Sequence, residues 1–304
     1  MVNKIVGGCE VKGKGEERIR SGNNLNILHQ NIRSLWGICG ELEILLETEV
    51  TKVEVLCLTE HSLNYHKLQA ININHFTLAS AFCRGNSDHG GSCILVKKGV
   101  TTKELKFVKE IGEEKSFEPS VIELARYAVI IICIYRSPDG KIDTFFNKLE
   151  LVIQKLMKKH KTLILCGDWN INVLQPSSHT TDLNNLLLRY NLKHTVHVPT
   201  RITKTTATLL DVVITNERKP VTYITVMDLG LSDHCAQILS IPIADSSNIT
   251  YRINKRQFSE TNVQEFFQLL KQVTWQEVYD ELDANAKLAN SWKYFFTVII
   301  QHFQ

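Results

Sequence analysis

Leu163-Ile164-Leu165-Cys166-Gly167-Asp168-Trp169-Asn170 is the stretch that decides the fold: four apolar residues, a glycine, then a carboxylate and an amide two positions apart. The apolar run reads as a buried strand. Residues spaced i, i+2 at a strand's end project to the same side, so Asp168 and Asn170 can meet one phosphate or one metal ion. Further along, Ser232-Asp233-His234 adds a side chain that titrates near neutral pH, with a carboxylate beside it. Hydrolysis of a phosphate ester with a bound divalent cation needs these groups. Binding alone does not.

Outward from that stretch, other apolar runs also end in polar residues. Residues 25–28 lead to Gln30 and Asn31, and residues 53–58 lead to Thr59-Glu60-His61. Gly90-Gly91 introduces a run at 93–96, and residues 121–124 form another. Residues 129–135 are a β-branched run ending at Arg136-Ser137-Pro138, and runs at 209–214 and 236–241 close the series. Helices are expected at 41–46 and 182–190, and at 145–156, where Phe145, Leu149, Val152, Ile153 and Leu156 recur at helical spacing. The pattern is mixed α/β, a class in which ligands gather where strand ends converge.

Composition sets the outer limits. The 304 residues are 43% apolar, ample for a sizeable core, and the net charge is only +3, so any nucleic acid must be held by a local patch. Eight cysteines with no C-x-x-C pair point to a reducing compartment without structural zinc; Cys57, Cys133 and Cys166 fall inside apolar runs. No apolar stretch approaches the roughly 18 residues of a membrane span, and the N-terminus lacks a signal-peptide apolar region. The chain therefore reads as soluble and intracellular, with no membrane partner. Residues 1–24, rich in glycine and charge, read as disordered. Residues 25–242 form the catalytic domain. Residues 243–304 read as a linker and helical extension, with Val263, Phe266, Phe267, Leu270, Leu288, Trp292, Phe295 and Ile299 at helical spacing, an aromatic face suited to a protein partner.

Seven segments in order carry a resemblance: His29-Gln30-Asn31-Ile32-Arg33-Ser34-Leu35, Leu58-Thr59-Glu60-His61, Ile134-Tyr135-Arg136-Ser137-Pro138, Gly167-Asp168-Trp169-Asn170, Pro199-Thr200-Arg201-Ile202-Thr203, Leu210-Asp211-Val212-Val213-Ile214-Thr215 and Leu231-Ser232-Asp233-His234. Over about residues 26–241 the chain resembles the endonuclease/exonuclease/phosphatase superfamily, and within it the endonuclease domain of non-LTR (LINE-type) retrotransposons. The resemblance implies a four-layered α/β sandwich of two packed mixed sheets, followed by a short helical C-terminal extension like the connector that precedes a reverse transcriptase; no polymerase follows here. It also implies roles. Glu60 is the principal ligand of Mg²⁺ (Mn²⁺ as a substitute), with Asn31 and Asp233 completing the metal's surroundings. Asp168 orients or deprotonates the attacking water, Asn170 and Tyr135 donate to the phosphate, and Asp211 orients His234, which stabilises developing charge. Thr200, Arg201, Lys204 and Arg33 bind substrate, the segment 201–210 forming a hairpin that reaches into a DNA groove. Outside these roles, His61 adjoins Glu60 and is expected at the cleft, but like the remaining histidines it is a poor candidate for the chemistry. Abasic-site endonucleases of the superfamily carry an aspartate where this chain has Arg33, which argues against a repair enzyme.

The resulting expectation is a Mg²⁺-dependent endonuclease that nicks one strand of double-stranded DNA and leaves a 3′-hydroxyl, as in target-primed retrotransposition, with nuclear access implied by the substrate. Two other readings stay open: a phosphatase or phosphodiesterase of the same superfamily, and a catalytically silent binding module derived from a retroelement.

Overall fold

The computed structural model describes residues 24–85, 89–217, 223–243 and 260–302. The expected disordered segment, apart from Asn24, and most of the expected linker lie outside these residues. Along the chain run β1 (Asn24–Asn31), α1 (Leu35–Thr48), β2 (Val55–Thr59), α2 (Tyr65–Ala70), β3 (Phe76–Phe82), β4 (Ser92–Lys97), β5 (Lys103–Glu104), α3 (Lys106–Glu110), β6 (Glu118–Leu124) and β7 (Val129–Tyr135). There follow α4 (Ile142–Met157), β8 (Thr162–Asp168), α5 (Ser178–Arg189), β9 (Lys193–His194), β10 (Arg201–Ile202), β11 (Ala207–Thr208), β12 (Asp211–Thr215), β13 (Tyr223–Met227) and β14 (Ala236–Pro242).

Two six-stranded mixed sheets result, in the orders β13-β14-β1-β2-β4-β3 and β5-β6-β7-β8-β12-β9. Side-chain alternation decides how they stack. From β1 and β2, Leu25, Ile27, Val55 and Cys57 point into the core shared with β7 and β8, where Ile131, Cys133, Ile164 and Cys166 meet them. Leu28, Leu56 and Leu58 point the other way, under Leu35, Leu42 and Leu46 of α1 and Leu68 of α2. The outer face of the second sheet is covered by α4 and α5, with Phe145, Leu149, Val152, Ile153, Leu183 and Leu187 buried. Each such side chain contributes about 1.5–3 kcal/mol on burial. The layers run helix, sheet, sheet, helix, as expected.

Within this frame some elements differ from the sequence reading. Helix α1 starts well before residue 41, because Leu35 already packs in the outer core despite Gly37 and Gly40 in the first turns. Helix α5 starts at Ser178, where the Ser177 hydroxyl accepts from the Thr180 amide at 3.1 Å. Strand β6 begins at Glu118 instead of residue 121, and this brings a buried carboxylate opposite Tyr135. Strands β3 and β13 have no counterpart in the sequence reading.

Residues 249–304 form a second compact unit. In it α6 (Glu260–Gln272), α7 (Gln276–Asp280) and α8 (Ala284–His302) pack together, with the Trp275 and Tyr294 rings 6.1 Å apart edge to face. Phe267, Tyr279, Leu288 and Trp292 remain largely exposed. Among the described residues, no helix is long and apolar enough to cross a membrane.

Candidate active site

The ends of β1 and β2 in one sheet and of β7, β8 and β12 in the other converge at one edge of the sandwich. Asn31, the last residue of β1, is fully buried and bridges the sheets: its Nδ2 donates to Glu60 Oε1 at 2.9 Å and to Asp168 Oδ2 at 2.8 Å. Its Oδ1 accepts from the Arg33 amide at 3.1 Å. The nitrogen of this amide, not the oxygen, therefore faces the two carboxylates. Glu60, just beyond β2, has φ +54. A non-glycine residue in that left-handed region costs about 1–3 kcal/mol and persists only where its surroundings impose it.

Asp168 ends β8, and Gly167 before it is obligatory. With φ +142, a Cβ there would stand 1.9 Å from the Ile134 carbonyl oxygen. Asp168 Oδ1 accepts from the Asn170 amide at 3.0 Å. Burial, with Asp211 and Glu60 nearby, pushes the Asp168 carboxyl up to about 8 against the pull of His234. Asp211 lies directly opposite Asp168 in the β8–β12 pairing, and its Oδ2 is 2.7 Å from His234 Nδ1. Burial opposes charging of His234, but the bond to Asp211 and the fields of Asp168 and Asp233 leave its pKa raised. The ligand-capable atoms of Asp168, Asp211 and His234 lie within 4.8 Å of one another.

The remaining expected residues are held in different ways. Tyr135 ends β7 with its phenol beside Glu60 and is pushed up by burial and by the Glu60 and Asp168 charges. Asn170 is half-buried with φ +51, and its Nδ2 donates to the Arg136 carbonyl at 2.7 Å. Asp233 is gripped by two arginines, Arg33 Nε at 2.9 Å and Arg201 Nε at 2.8 Å, while His234 Nε2 is 4.0 Å away. The Asp233 carboxylate thus faces two guanidinium groups. Thr200 is fully buried, and its hydroxyl accepts from the Leu210 and Asp211 amides at 3.1 Å each. Both contacts use the hydroxyl oxygen as acceptor, and they seat Asp211. Arg201 opens a two-stranded hairpin, β10 with β11, and Lys204 is exposed in its turn. His61 is a correction. It is fully buried, pushed down to about 4 by desolvation, with Nε2 2.9 Å from the Phe82 carbonyl, so it supports backbone and does not line the cleft.

Several residues that hold the site were not singled out from sequence. Gln30 Nε2 donates to the Asn31 carbonyl at 2.7 Å and the His234 carbonyl at 2.9 Å, tying β1 to the Ser232-Asp233-His234 turn. Ser232 Oγ donates to the Asn31 carbonyl at 2.6 Å and accepts from the His234 amide at 3.1 Å. Arg136 anchors the turn after β8 by donating to the Trp169 carbonyl at 2.7 Å and the Asn170 carbonyl at 2.9 Å. Gln30, Ser232 and Arg136 stood inside recognised segments, but only tertiary pairing reveals their use.

The fold is shared with several solved nucleases. The sequence family described as endonuclease-reverse transcriptase matches residues 129–238. Among solved structures, the endonuclease domain of TRAS1, a telomere-specific non-LTR retrotransposon, is 17% identical with a TM-score of 0.55, covering 73% of this chain and 99% of that one. The AP endonuclease LMAP from Leishmania major is 14% identical with a TM-score of 0.59, covering 73% and 88%. The 3′-5′ exonuclease NExo from Neisseria meningitidis is 16% identical with a TM-score of 0.56, covering 71% and 98%. No curated protein matches the chain significantly. The resemblance read from the seven segments agrees with these similarities.

Proposed function

We propose that this chain is a divalent-metal-dependent endonuclease that nicks one strand of double-stranded DNA and leaves a 3′-hydroxyl. The observation that carries this reading is the Asn31 amide bridging Glu60 and Asp168 across the two sheets, with the Asp211–His234 pair beside it. The donor set fits a hard cation: carboxylate oxygens predominate, and Asp211 Oδ1 is buried with no hydrogen-bond partner among the described residues. A divalent ion held by Glu60, with Asn31 keeping that carboxylate close to Asp168, would offset the crowded negative charge and polarise the scissile phosphate.

The chain's own groups then divide the work. Asp168, once ionised, accepts a proton from the attacking water. His234, kept protonated by Asp211, stabilises charge on the phosphate as an imidazolium. The phenol of Tyr135 and the second hydrogen on Asn170 Nδ2 donate to phosphate oxygens. Arg201, Arg33 and Lys204 meet the DNA backbone, with Asp233 holding the two arginines in place between encounters. Such contacts position the duplex; groove contacts from the β10–β11 hairpin, where Ile202 is 59% exposed, choose the site.

The chemistry of the ends tests this directly. Nicked plasmid treated with a DNA polymerase and labelled nucleotides should be extended from the nick without phosphatase treatment. Extension only after removal of a 3′-phosphate would overturn the assignment of the cleaved bond.

A further inference from the structure

One buried ion pair close to the site has no part in the chemistry above. Arg84 Nε lies 2.6 Å from Glu118 Oε1, and their side chains are 5% and 0% exposed. Glu118 Oε1 also accepts from the Lys115 amide at 2.5 Å, and Oε2 accepts from the Gly91 amide at 2.6 Å. The Glu118 carbonyl takes the Ser92 hydroxyl at 2.8 Å. One side chain thereby fixes the Gly90-Gly91 turn. That turn holds the backbone of the metal-binding segment, since the Glu60 amide donates to the Gly91 carbonyl and the Ser62 amide to the Gly90 carbonyl, each at 2.9 Å.

The packing is too close for side chains. A Cβ on Gly90 would fall 2.4 Å from Arg84 Cζ, and one on Gly91 2.3 Å from His61 Nε2. Glu60 and Ser62 both have left-handed backbones, φ +54 and +57, which need external support. On its other side the Arg84 guanidinium stands over the Tyr135 ring, 5.8 Å from the centroid.

We propose that Arg84 and Glu118 are positioning residues for the metal site: they fix the Gly90-Gly91 turn, and through it the strained Glu60 backbone and its carboxylate. The inference rests on Glu60 being the metal carboxylate, as in the function proposed above. Outer partners of metal ligands typically change affinity by about 10–100-fold when removed.

The test is Mn²⁺ and Mg²⁺ binding by calorimetry, beside melting temperature and nicking at saturating metal. Glu118→Gln removes the charge, and the double variant Arg84→Met with Glu118→Met leaves no buried charge unpaired. Glu123→Gln, at the far end of β6, is the control. The expected result is metal affinity at least about tenfold weaker in the folded variants, with turnover at saturating metal close to the parent's and the control unchanged. Parental metal affinity in either folded variant would overturn the proposal. Rapid hydrogen exchange of the Glu60 and Ser62 amides in the parent protein would overturn it as well, without any variant. A parent that binds no divalent metal would sink the function reading itself, an outcome distinct from a parent that binds metal and variants that bind it equally well.

Discussion

Asp168 is where burial and like charge meet most directly. Its carboxyl is raised from 3.8 to about 8, so between those pH values the folded chain retains a proton that the unfolded chain has released. Stability from this group is fully present below pH 3.8 and is lost as pH rises toward 8. Metal-free Asp168→Asn protein should accordingly melt higher than the parent at pH 8 while losing turnover by about 10²–10³-fold. Thermal melts in EDTA together with nicking assays check both. The charge on His234 depends on Asp211, so Asp211→Asn should lower turnover by at least about a hundredfold and move the alkaline limb of the pH–rate profile to lower pH. An unmoved limb would remove His234 from the role of imidazolium. Asp168, Asp211 and His234 were legible in sequence because each follows or begins an apolar run with its polar neighbours intact. Arg84 and Glu118 were not, since what they do depends on a partner 34 residues away and on a turn that neither adjoins.

Strands deliver these residues, and the join between β7 and β8 is the tightest point of delivery. Gly167→Ala would drive a methyl group into the Ile134 carbonyl and should destabilise the fold by about 1–3 kcal/mol. Urea denaturation measures this, and an unchanged midpoint would mean that the β8 terminus is looser than its pairing implies. The β10–β11 hairpin is tied to the His234 turn by an Arg201–His234 bridge and by the Cys235 amide, which donates to the Thr200 carbonyl at 2.6 Å. Arg201→Ala should weaken DNA binding across sequences and reduce the slope of log affinity against log salt by about 1, measured in EDTA so that no cleavage intervenes. Central strands such as β7 and β8 were readable because both of their faces are buried and their runs are continuous. Strand β13 was not: it is an edge strand with every residue at least partly exposed, and its Tyr223-Ile224-Thr225-Val226-Met227 run has no clean alternation. In α1, Gly37 and Gly40 masked a helical start that packing of Leu35 enforces.

At the scale of the molecule, two packed sheets bring together residues that lie far apart along the chain, from Asn31 to His234. The order of the seven segments carried this arrangement, although no segment alone did. Tertiary pairing added what order could not show, namely that Thr200 faces inward and that Asp233 lies between two arginines. Residues 249–304 form their own compact unit. A chain ending at residue 243 should therefore nick DNA at the parent's rate, and loss of activity on truncation would assign the helical unit a catalytic or folding role. The central claim is metal-assisted hydrolysis at Asp168 and His234, and it is tested most directly by conversion of supercoiled plasmid to open circles with Mg²⁺, with EDTA, and with Asp168→Ala and His234→Ala proteins. The account predicts open circles only from the parent with metal, and rates lower by about 10²–10³-fold in both variants. Intact plasmid from folded parent protein, or nicking that survives either substitution, would contradict it.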